Sequence, residues 1–206
     1  MSRENYEIGE GNLTSALREA EGSWSETDAA AWERVREEAW ATSRLDCRAM
    51  ATVEVQGVEG MQALVGQEIG PSEWRAVTQE DIDTFARVSG DDQWIHVDVE
   101  RAKAESPFGT TIAHGNLTTS LVDGFRKDLI SSTGFALGVN YGWDKIRFPA
   151  PVPVDSRVRG RAEVVSVDEV GGGWWQVVTR FTLEVEGNEK PCFVGDSVTR
   201  VMAPVD

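Results

Sequence analysis

Between Asn116 and Ser131 the apolar residues recur at helical spacing, and from Val139 onward they recur every second residue. In the helical stretch Leu117, Leu121, Phe125 and Leu129 fall four apart, and Val122 and Ile130 widen the stripe. So broad a stripe suits a helix largely surrounded by protein. Downstream, Arg157 to Val164 alternates polar and apolar residues, and Gly171-Gly172-Gly173 signals a turn. Trp175, Val177, Thr179, Phe181, Leu183 and Val185 then line one face of a strand, and Gly187-Asn188 turns the chain into a last strand, Cys192 to Met202. Val139 to Phe148 reads as one more strand, and its alternation slips at Gly142, where a bulge is expected. A single well-covered helix followed by strands joined through short turns predicts an α+β fold, with an antiparallel sheet wrapped around the helix.

Upstream, Thr78-Gln79-Glu80-Asp81 has the spacing of a capping box and predicts a helix that buries Ile82, Phe85 and Ala86. Gly90 should end it. Asp91 to Asp98 is expected as a loop or short extended segment, and Val99 to Glu105 as a second short helix. The chain has only two histidines, and both fall here. His96 follows Asp91 by five residues, and His114 directly precedes Gly115, which opens the long helix. A carboxylate and an imidazole brought together can activate water, each tuning the proton affinity of the other. A glycine at a helix start can set its N–H against developing negative charge. Base, water and oxyanion donor are the parts needed to add water to an activated double bond. By spacing alone the pair is weak, because a histidine near an apolar segment is more often a satisfied structural residue. Ser89, in the last turn of a helix with no base beside it, reads as a cap or packing residue rather than a nucleophile. Asp98 reads as the cap of the next helix. His114 reads as structural, holding the loop before the long helix.

The text Ser89-Gly90-Asp91-Asp92-Gln93-Trp94-Ile95-His96 with the later His114-Gly115 closely resembles the MaoC-like (R)-specific enoyl-CoA hydratases. Their motif runs roughly S-x-D-x-N-P-x-H and then H-G. Phe85-Ala86, Phe108 to Ala113, Val139-Asn140-Tyr141-Gly142 and Arg147-Phe148-Pro149-Ala150-Pro151 extend the resemblance, which spans about Val65 to Ala203. Gln93-Trp94 stands where many members have Asn-Pro, a variant similar to the NodN-like branch. The resemblance implies a single hot-dog fold and a hydro-lyase acting on trans-2-enoyl thioesters. It assigns Asp91, His96 and Gly115 to catalysis and makes Asp91, not the adjacent Asp92, the functional acid. No cofactor is implied, only coenzyme A or an acyl carrier protein as substrate carrier. It also implies a homodimer with active sites at the interface.

Residues expected near substrate are Gln93 and Trp94 beside the pair, and Thr118 and Ser120 on the first turns of the long helix. Hydroxyls at such positions commonly bond back to the helix backbone instead. Trp94 and Trp143 either narrow an acyl tunnel or serve as core aromatics. The net charge of −15 argues against nucleic acid or an anionic membrane as partner. A polyanionic carrier would then need a local basic patch, for which Lys145 and Arg147 are candidates together with Arg157, Arg159 and Arg161. The arginine triplet equally reads as a solvated strand face.

Residues 1–60 differ in character, with 13 acidic against 6 basic residues, and are expected as an acidic, helical extension to a domain over 61–206. There Trp32, Val35, Ala39 and Trp40 share one helical face, which would pack on the main domain or on a partner subunit. With no apolar run long enough to span a bilayer and a polar N-terminus, the chain is expected in the cytoplasm. Cys47 and Cys192 are too few and too far apart for a disulfide framework or a zinc site, and no metal site is expected. A hot-dog thioesterase and a non-catalytic acyl-thioester binding subunit are the alternatives to the hydratase.

Overall fold

A computed structural model describes residues 52–204. The expected N-terminal helix bearing Trp32 and Trp40, and Cys47, lie outside the described residues. In chain order the elements are β1 (Val53–Gln56), α1 (Gly57–Ala63), β2 (Glu68–Ile69), β3 (Arg75–Val77), α2 (Gln79–Ser89), α3 (Trp94–Val97), α4 (Val99–Glu105), α5 (Gly115–Leu129), β4 (Ile130–Thr133), β5 (Leu137–Arg147), β6 (Ser156–Gly171), β7 (Trp174–Val185) and β8 (Phe193–Met202).

The main sheet has the order β2-β6-β7-β8-β5, with β3 also on β6, and every pairing in it is antiparallel. Alternation along β7 does what its sequence predicts, burying Val177, Thr179, Phe181, Leu183 and Val185. That face meets α5, which buries Leu117, Val122, Phe125 and Leu129. Helix and sheet approach closely at Gly160: a Cβ there would lie 2.9 Å from the Phe125 Cβ. Phe125, Phe181, Leu183 and Phe193 are fully buried around this contact. The sheet therefore curls around one helix, the hot-dog arrangement.

Local signals explain the elements around the site. Thr78 and Asp81 form the capping box, and Gly90 at φ 77° closes α2 in the left-handed conformation. The expected slip at Gly142 is a register shift between Asn140 and Gly142, and a second follows between Asp144 and Arg147. Three expectations need correction. Asp91 to Asp98 is not wholly extended, because residues 94–97 close one helical turn. The long helix stops at Leu129 rather than Ser131, where Ile130–Thr133 pairs in parallel with Val53–Gln56 and Val55 enters the core. The first half of β6 continues through a bulge to Gly171, making a 16-residue strand where eight residues were expected. Among the described residues no helix is long and apolar enough to cross a membrane. Cys192 is a free, buried thiol, and burial pushes its pKa up to about 12, as suits a packing residue.

Candidate active site

The loop after α2 is tied down through its own backbone. Ser89 Oγ donates to the Phe85 carbonyl at 2.8 Å and accepts from the Asp91 N–H at 3.3 Å. It is the cap expected from its position. Asp91 Oδ1 lies 3.5 Å from the Gln93 N–H, so the carboxylate curls over the start of the next turn. That turn swings His96 inward, leaving it 6% exposed while Asp91 stays exposed. Asp98 then caps α4 by accepting from the Arg101 N–H at 3.0 Å.

His96 is held from both ends. The Ile112 N–H donates to the Ile95 carbonyl at 3.1 Å, and the Ile112 carbonyl accepts from His96 Nδ1–H at 2.7 Å. A carbonyl only accepts, so Nδ1 carries a proton, and in the neutral ring Nε2 keeps its lone pair, the state required of a base. Burial lowers the His96 pKa below its ordinary 6.5, and nearby His114 adds to the depression. The bond to Ile112 and the charge of Asp91 oppose it. The imidazole is thereby kept neutral at neutral pH.

His114 stands in the same cluster. It is 2% exposed, its ring stacks on His96 with centroids 3.8 Å apart, and its Nε2–H donates to the Asp91 carbonyl at 2.9 Å. Asp91, His96 and His114 each offer an atom within 4.8 Å of the others. A shared metal ion would need these lone pairs to converge, whereas rings stacked at 27° direct theirs along nearly parallel planes. The geometry suits acid–base chemistry better than ligation.

Gly115 is the first residue of α5, so its N–H has no partner within the helix and sits at the positive end of the helix dipole. The structure supplies a reason for glycine that the sequence reading did not: a Cβ would lie 2.9 Å from Cε2 of Phe148. The Phe148 ring covers this helix start and in turn packs on Phe193, centroids 5.8 Å apart.

The remaining expected residues divide. Trp94 is half-buried beneath the Arg101 guanidinium, 4.4 Å from its ring centre, and Gln93 is exposed beside Asp91. The hydroxyls of Thr118 and Ser120 donate back to the carbonyls of His114 and Asn116, at 3.1 and 2.9 Å. Lys145 and Arg147 are exposed on β5 at the second register shift, and Arg147 immediately precedes Phe148. Trp143 packs edge-on against Phe193 and Phe181, as a core aromatic. The arginine triplet is engaged by carboxylates. Arg157 pairs with Glu186, while Arg159 and Arg161 both engage Glu184, and Arg161 also reaches Glu68.

Gln79, within the capping segment of α2, also reaches the site. Its amide donates to the His96 carbonyl at 2.8 Å, and its oxygen accepts from Thr111 Oγ1 at 2.6 Å. Partners 17 and 32 residues away leave no local pattern to find.

Residues 60–186 match the model of the MaoC like domain. The chain is similar to 3-hydroxyacyl-thioester dehydratase Z of Mycobacterium tuberculosis, 46% identical over 148 residues, covering 72% of this chain and 97% of that protein. It is also similar to Nodulation protein N of Rhizobium leguminosarum, 41% identical over 136 residues, 66% of this chain and 84% of that one. Among solved structures it resembles the R-hydratase PhaJ1 of Pseudomonas aeruginosa, with TM-score 0.51 and 25% identity, covering 69% of this chain and 83% of that one. With the domain match, these relatives and the sheet wrapped around α5, the chain belongs to the MaoC-like family of hydratases and dehydratases.

Proposed function

We propose that this hydro-lyase adds water across the 2,3 double bond of a trans-2-enoyl thioester, or removes it from the (3R)-hydroxy product, with Asp91 and His96 as its acid–base pair. The observation that carries the reading is the fixed tautomer of His96. Its Nδ1–H is committed to the Ile112 carbonyl, so the Nε2 lone pair is left for a water held jointly with the Asp91 carboxylate. As the water oxygen bonds to C3, its proton passes to the pair and the double-bond electrons move to C2 and the thioester oxygen. The pair then returns a proton to C2 on the same face. Coupled groups titrate together, so the proton belongs to the pair rather than to either residue. The enolate oxygen rests on the Gly115 N–H, strengthened by the helix dipole.

The dehydratase and hydratase names of the relatives support a thioester substrate. Coenzyme A or an acyl carrier protein serves as carrier, and the chain itself needs no cofactor. The protein acts as a homodimer in the cytoplasm. Strand β5 ends the main sheet and exposes Leu137, Val139 and Tyr141, an apolar edge suited to pairing with a second copy.

The test is incubation with crotonyl-CoA, with chiral analysis of the product and a thiol-trapping reagent present. (3R)-Hydroxybutyryl-CoA without thiol release supports the reading. Free thiol at the rate of substrate loss would instead identify a thioesterase.

A further inference from the structure

His114 is the one side chain of the cluster to which that mechanism gives no task, yet it is the most buried of the three. It bonds the main chain of one member of the pair and stacks on the ring of the other. Its Nδ1 is buried without a hydrogen-bond partner. A buried polar atom left in that state costs free energy, so the position is kept for something the ring does elsewhere. A residue needed only to pack beside Phe85, at 5.1 Å between centroids, could be apolar.

We propose that His114 is a positioning residue for the hydration reaction: an imidazole whose Nε2–H fixes the Asp91 peptide while its ring face holds His96 against the carboxylate. The proposal rests on the assignment of Asp91 and His96 as the acid–base pair. A carbonyl accepts and never donates, so the 2.9 Å bond to Asp91 requires the proton on Nε2. The same ring lies stacked on His96, centroids 3.8 Å apart, so one side chain sets both members of the pair. The other groups facing His96 are the Asp91 carboxylate, the Ile112 carbonyl on Nδ1 and the Gln79 amide on its own carbonyl. None of these also bonds the Asp91 main chain. His114 touches both members, and a small displacement of either is costly, since misplacing a reacting group by an ångström can lose about a hundredfold in rate.

Two variants separate the bond from the ring. His114→Phe keeps an aromatic face on His96 and removes the donor. His114→Gln restores an N–H near the Nε2 position and removes the ring. With crotonyl-CoA, His114→Phe is expected to lose about tenfold to a hundredfold in kcat with KM within twofold. His114→Gln is expected to recover most of that loss. In both variants the acid limb of the kcat/KM profile should move to higher pH, because the depressing neighbour is gone. Equal impairment of the two, or a loss confined to KM, would overturn the proposal, as would His114→Phe at parental turnover. Nitrogen-15 NMR of the unaltered protein is independent of variant folding and of turnover, so it separates failure here from failure of the acid–base assignment. It should show one histidine with its proton on Nε2 and the other with its proton on Nδ1, and two Nδ1–H tautomers would contradict the idea.

Discussion

The side-chain amide of Gln79, on the first turn of α2, donates to the main-chain carbonyl of His96 at 2.8 Å. The same side chain accepts from the hydroxyl of Thr111, which is fully buried. Gln79 therefore joins α2, the turn that carries His96 and the segment that leads into α5. Gln79→Ala leaves the Thr111 hydroxyl without its acceptor, and an unsatisfied buried polar group costs about 1–3 kcal/mol. A fall of that size should appear in urea unfolding at unchanged slope, together with a lower kcat. A stability within experimental error of the parent would show that Thr111 finds another partner.

Acidification should act on activity and stability together. The folded-state pKa of His96 lies below 6.5, chiefly through burial. The unfolded chain therefore binds the proton first, and the contribution of His96 to stability is complete above pH 6.5 and lost as pH falls through the lower folded value. The acid limb of kcat/KM should accordingly lie below pH 6.5. His96→Ala should flatten the stability slope over the same window, as read by unfolding midpoints against pH. An acid limb above 6.5 in the parent would contradict the buried neutral base.

Two glycines should respond differently to alanine. At Gly160 the new Cβ meets the Cβ of fully buried Phe125, rooted on the central helix with little freedom to yield. Overpacking of this kind costs about 1–3 kcal/mol. At Gly115 the obstacle is the far end of Phe148, a side chain 44% exposed that can swing aside. Gly115→Ala should therefore unfold close to the parent in a thermal scan while losing turnover, because the added methyl crowds the oxyanion donor. The reverse order of stabilities would show that Phe148 is fixed and Phe125 is not.

Much of this was legible from local pattern. The capping box at Thr78, the stop at Gly90 and the alternation of β7 each depend on residues a few positions apart, and each forms as its spacing predicts. The clustering of Asp91, His96 and His114 followed from a resemblance rather than from spacing, since joining residues 91 and 114 needs the intervening turns to fold back. What escaped has long-range causes. Ile130 has the spacing to continue α5, yet pairing with Val53 some 77 positions earlier draws it into a strand. Arg159 and Arg161 looked available on an alternating strand, but both bond Glu184 on the neighbouring strand, and Arg161 also bonds Glu68, partners fixed by register. Gln79 and Phe148 reach the site through contacts with no sequence periodicity.

Light scattering at micromolar concentration should report about twice the 22.6 kDa chain mass. Under the proposed dimer, replacing Val139 and Tyr141 on the exposed β5 edge with lysine should shift the protein toward monomer and lower turnover. A fully active monomer would refute the shared-site arrangement and leave the chemistry of the pair untouched.

The central claim is that Asp91 and His96 together activate the water that adds to the enoyl thioester. Its most direct measurement is the hydration rate of crotonyl-CoA by parent, Asp91→Asn and His96→Ala, followed by loss of enoyl absorbance after circular dichroism has shown that all three are folded. Losing a positioned acid–base group costs about 10²–10⁴ in rate, and a loss of that size is expected in each variant. Near-parental turnover in either folded variant would contradict the account.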